Sequence, residues 1–202
     1  MKSMSRWLLP ATWVARDFLR DCRGIGAVEF AFILPLMLVM FFGTVEFSQG
    51  VAVNRKVTIM ARTLSDLTSQ NISVNSTQTN NFFAAATAIM TPYSASPVNS
   101  TISELYIDPN TQAARVQWSV GAAPRGQGST VSIPSNLIAK DSTGAVAPNQ
   151  YLIYSEVSYQ YVPTIGYVMA KAGVHLSDVS YTRPRQSICV LWNTSTGNCP
   201  TY

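Results

Sequence analysis

The chain has 202 residues, with fourteen lysines and arginines against ten acidic residues and a single histidine, which allows one ordinary domain plus an appendage. Its net charge of +4 is uneven: eight basic and four acidic residues precede Asp66, and six of each follow from there. No clustered cations fall on the distal part, so no nucleic-acid partner is expected, and the lone His175 argues against a triad hydrolase.

Residues 1–24 are basic and contain a short apolar piece, Trp7 to Ala15. That piece has the look of a secretory signal, but Pro10 interrupts it and a better membrane segment follows directly, so a conventional cleaved signal is disfavoured. From Ile25 to Val45 the chain is apolar for roughly 20 residues, the length of helix that crosses a bilayer. Glu29 is its only charge. A carboxylate there costs about 2.5–3.5 kcal/mol on insertion scales and is read by default as functional. Arg16, Arg20 and Arg23 precede the segment and no cation follows until Arg55, so the N-terminus is expected in the cytoplasm. Pro35 removes one backbone hydrogen bond inside the helix and is expected to kink it, either passively or as a device for leaving the bilayer. Glu46 is expected at the outer interface, reaching water.

Beyond Gly50, Val53, Val57, Met60, Leu64 and Leu67 recur at intervals of three and four, which describes an amphipathic face over residues 46–70. One long helix over about residues 26–69, or an anchor followed by a separate helix, both fit the pattern. A polar break at 69–76 leads into a second helix with Thr79 or Asn80 as cap and Phe82, Phe83, Ala86, Ile89 and Met90 on its apolar side, ending before Pro92. The period then changes to two. Ile102–Ile107 and Ala114–Val120 form a hairpin around Asp108-Pro109-Asn110-Thr111, with Val116, Trp118 and Val120 on its core face. Residues 121–148 read as loop with one short helical turn around Asn136–Lys140. Tyr151–Tyr161 and His175–Tyr181 are further strands. Helices followed by antiparallel strands give an α+β head over residues 71–202. Cys189 and Cys199 have two readings, a disulfide suited to an oxidising compartment or two free thiols.

The run Arg23-Gly24-Ile25-Gly26-Ala27-Val28-Glu29, leading into the membrane segment, resembles the processing signal of type IV pilins and pseudopilins. The wider stretch from Gly26 to Leu36, with Val45-Glu46-Phe47 beyond it, resembles more narrowly the TadE-like minor pilins of tight-adherence pilus systems. Tyr181-Thr182-Arg183-Pro184-Arg185 is similar to that family's ending. The resemblance implies cutting between Gly24 and Ile25 by a prepilin peptidase, for which a glycine without Cβ offers close backbone access. Gly26 is the competing position, but cutting there would move Glu29 out of fifth place. The resemblance further implies that Glu29, with Phe30 beside it, is an assembly residue whose carboxylate meets the N-terminal amine of a neighbouring subunit, a pairing strengthened by low dielectric. Expected partners are the peptidase, other pilin-like subunits and the inner-membrane assembly platform. The expected place is the inner membrane, with the head in the periplasm or carried into the fibre.

No Cys or His pair has metal-ligand spacing, no glycine run opens a phosphate loop, and Glu104, Asp141, Glu156 and Asp178 are scattered. The expectation is a non-enzyme without cofactor or metal: a minor pilin that primes or caps a fibre. The alternative is an uncleaved, membrane-anchored periplasmic binding module.

Overall fold

The computed structural model describes residues 24–163, 173–194 and 196–201. Helix α1 runs without interruption over Ile25–Ser69 and passes through Pro35. Two compact units divide inside it, Met1–Val45 and Glu46–Tyr202. In the described part of the first, the helix is apolar enough to cross a membrane, and none of its most hydrophobic window is buried among the described residues. Residues 1–23, with Arg16, Arg20, Cys22 and Arg23, lie outside the described residues.

The second unit is an α+β head. After α1 come β1 (Ser73–Val74) and α2 (Ser76–Ala88), then β2 (Val98–Ile107), β3 (Ala114–Gly121), β4 (Thr130–Val131), β5 (Gln150–Tyr161), β6 (Val174–Thr182) and β7 (Leu191–Trp192). Strands β2 to β6 make one antiparallel sheet in the order β4-β3-β2-β5-β6, while β1 and β7 pair in parallel as a separate two-stranded ladder. That ladder ties the segment after α1 to the C-terminal tail.

Each sheet face carries its own core, because side chains alternate along a strand. One face, with Ile102, Ile153, Val157, Tyr159 and Tyr161, packs on Val53, Val57, Met60, Ala61 and Leu64 of α1 and on Ala86 and Met90. All five of those α1 side chains are fully buried, and burying a Val, Leu or Met in this way contributes about 1.5–3 kcal/mol. Leu67, expected on that face, is only half-buried, and Thr68 and Ser69 are buried instead. The opposite face, with Leu105, Ile107, Val116, Leu152 and Tyr154, is covered by Val131 and Val146 from the long loop, whose one helical turn is a 3-10 turn at Ser135–Leu137. Strand β5 is therefore buried on both sides along most of its length.

The hairpin forms around Asp108, whose carboxylate accepts from Asn110 N and Thr111 Oγ1 at 2.9 and 2.7 Å. Its faces differ from the expected alternation. Leu105 pairs with Val116 but Glu104 pairs with Trp118, so Gln117 is an extra residue on β3 and a bulge interrupts the ladder. Val116 and Trp118 consequently belong to opposite cores. The strand closes at Gly121, at φ 139°, where a Cβ would collide with Ser100 O and Thr101 Cα.

The cap of α2 is Asn75, not Thr79 or Asn80. Asn75 Oδ1 accepts from Gln78 N at 2.9 Å and Gln78 Oε1 accepts from Asn75 N at 3.1 Å, a reciprocal capping box. Thr79 is buried inside the helix instead. Neither helix has a basic residue in its last turn, and each takes a cation from elsewhere. Lys56 Nζ donates to Ile89 O and Thr91 O at 2.7 and 2.9 Å beyond α2. At the end of α1, Arg185 N donates to Ser69 O at 2.9 Å while its guanidinium pairs with Asp66. Positive charge at these carbonyl ends complements the helix dipole.

Candidate functional site

Gly24 immediately precedes α1, and nothing lies within 4 Å of where its Cβ would be. Ile25 begins the helix and is 53% exposed. Glu29 and Phe30 follow one turn on, both exposed, and the structure brings no other described residue of the chain over this segment. Pro35 lies in unbroken helix. Thr44 Oγ1 donates to Met40 O at 2.8 Å, a local bond that spares its hydroxyl from hydrocarbon. An apolar window of this hydropathy that no described residue buries is suited to lipid or other apolar helices, because leaving such side chains in water costs about 25 cal/mol per Å².

Glu46, expected to reach water, is 1% exposed. Tyr161 OH donates to its Oε2 at 3.0 Å. Burial, together with the neighbouring carboxylate, pushes the Tyr161 hydroxyl up to about 12. The groove beside this pair is lined by Phe47, Val51, Val174 and Leu176.

At the C-terminal end, Cys189 and Cys199 are joined by a disulfide with Cα atoms 5.8 Å apart. Arg183 donates to Leu137 O at 3.1 Å, and Arg185 closes the end of α1 as described. His175 lies on the edge strand β6, exposed. No group of three or more metal-ligating side chains occurs among the described residues.

Sequence reasoning missed Glu104. Its side chain is fully buried on β2. Val190 N donates to Glu104 Oε1 at 2.5 Å, and Trp118 Nε1, from the paired position on β3, donates to Val190 O at 2.7 Å. Both backbone groups of Val190 are thereby held by one carboxyl and one indole. Burial outweighs the hydrogen bond from Val190 N and raises the Glu104 carboxyl to about 8. The missed signal was a lone acid at an inward position between Ile102 and Tyr106.

A family model described as TadE-like protein matches residues 24–64. Those 41 residues cover the bare apolar helix and the first part of its packed continuation. No curated protein matches the chain, and no solved structure does.

Proposed function

We infer, from a TadE-like segment at residues 24–64, that the chain is a pilin-like subunit associated with a tight-adherence pilus, anchored in the membrane by α1 and acting in assembly, not catalysis. One observation carries this reading: the TadE-like match falls on a long apolar helix whose most hydrophobic window no described residue buries, with Gly24, Ile25 and Glu29 at its start. In this reading a prepilin peptidase cuts between Gly24 and Ile25, and the new amine and the Glu29 carboxylate of neighbouring subunits meet in a low-dielectric setting where each neutralises the other. A head of this size on the helix suits a minor subunit that primes or caps a fibre, with the platform and other pilin-like subunits as partners. The anchor is placed in the inner membrane with the head outside the cytoplasm, as the basic leader suggests.

The test is the mature N-terminus of membrane-extracted protein, by intact mass and N-terminal sequencing, with and without a co-expressed prepilin peptidase. A peptidase-dependent start at Ile25 that Gly24→Ala abolishes is the expected result. A start at Met1 in both samples would overturn the processing step and leave an uncleaved anchored binding module.

A further inference from the structure

Glu104 Oε2 and Gln117 Oε1 are the two buried side-chain atoms without a hydrogen-bond partner among the described residues. Both residues line one cavity of about 470 Å³ in the head. Gln117 is there because of the bulge: the extra residue on β3 turns its side chain into the protein at 2% exposure, with its amide nitrogen given to Arg115 O at 3.3 Å. Bulges re-aim side chains in this way and recur beside binding sites. The opposite wall comes from the disulfide-bounded tail, which contributes Trp192 and Asn198. Trp192 stacks on Trp118 with ring centroids 5.3 Å apart and remains half-exposed.

We propose that this cavity binds a neutral sugar ring, with the tryptophan pair as its apolar platform and Glu104, Gln117 and Asn198 as its polar contacts.

The chemistry of the wall selects that class. Two unpartnered oxygens from residues lining one cavity suit ligand hydroxyls, which both donate and accept. Because burial keeps Glu104 largely protonated at neutral pH, it presents an O–H donor and is a poor ligand for a cation. Arg125, the one cation on the wall, has its Nε and Nη2 already engaged with both Glu156 oxygens at 2.7 and 2.6 Å, which disfavours an anion. What remains is an aromatic platform with amides, a hydroxyl and a neutral carboxyl, complementary to the C–H face and the hydroxyls of a sugar. A cavity of this size sits within the range that holds a small ligand.

The inference goes beyond the assembly reading and is independent of it, since processing at Gly24 does not touch the cavity. It is tested on full-length protein in lipid nanodiscs, free of glycoside detergent, by saturation-transfer NMR with glucose, galactose, mannose and N-acetylglucosamine as probes. At least one probe should bind saturably with a Kd near millimolar, weakened at least about tenfold by Trp192→Leu. Asn198→Ala serves as the second variant, and each variant must keep the wild-type thermal midpoint. Absence of saturable binding to all four sugars would overturn the proposal. So would undiminished binding in both folded variants, or displacement of the sugar from the wild type by calcium or sulfate.

Discussion

Tyr161 OH and Glu46 Oε2 form a buried hydrogen bond 115 residues apart in sequence, tying the end of the longest strand to the first helical turn of the head. Glu46 looks in sequence like an interfacial acid on its way to water. It is instead enclosed by the strand that comes back to it, and a buried carboxyl keeps its place only with donors around it.

Removing the Tyr161 hydroxyl should therefore cost more than a surface change. Tyr161→Phe is expected to destabilise the head by about 1–3 kcal/mol, the range for taking one hydrogen-bond partner away from a buried polar group. The check is thermal unfolding of the detergent-solubilised protein followed by near-ultraviolet circular dichroism. An unchanged midpoint would show that the bond contributes nothing net.

Glu104 gives a pH signature whose sign is opposite to that of an ordinary paired carboxylate. Its carboxyl titrates near 8 in the folded protein against 4.5 in an unperturbed chain. Between those values the unfolded state has released the proton that the folded state still holds, so stability falls as pH rises through the window. The contribution is fully present below pH 4.5 and levels off above about 8. Glu104→Gln removes the titration while keeping shape, so its thermal midpoint relative to wild type should rise steadily from pH 5 to pH 8. Parallel curves for the two proteins would refute the assignment.

Arg185 should show two separable effects. Its ion pair with Asp66 is exposed on both sides, 56% and 41%, and such pairs contribute about 0–1 kcal/mol. Arg185→Ala is thus expected to be nearly neutral. Arg185→Pro also removes the N–H that closes the last carbonyl of α1 at Ser69, and should cost about 1 kcal/mol more. Urea unfolding of the two variants side by side distinguishes these expectations.

Much of the fold could be read locally. The apolar run and the three-and-four repeat after it are legible in the sequence, though only the structure shows them to be one helix over Ile25–Ser69, and the second helix, the hairpin and the α+β order follow from changes of period and from turn residues. These signals are short-range, carried by neighbours along the chain. The cap of α2 is also local: Asn75 stands at the end of the polar break with Gln78 three residues on, a capping box that the expectation of Thr79 or Asn80 leaves out.

What the sequence determined by itself is the membrane-length helix with its glycine and glutamate at the start, since apolar length and charge spacing are properties of consecutive residues. Tertiary structure alone decided the rest. A single extra residue at Gln117 moved Trp118 to the face opposite Val116, because a period of two reverses with each inserted residue. The C-terminal tail reached Glu104 and Trp118 from 86 and 72 residues away, and chain return over such distances leaves no periodic trace. Burial, not spacing, made Glu46 and Glu104 unlike the other acids among the described residues: desolvation depends on what comes to cover a side chain.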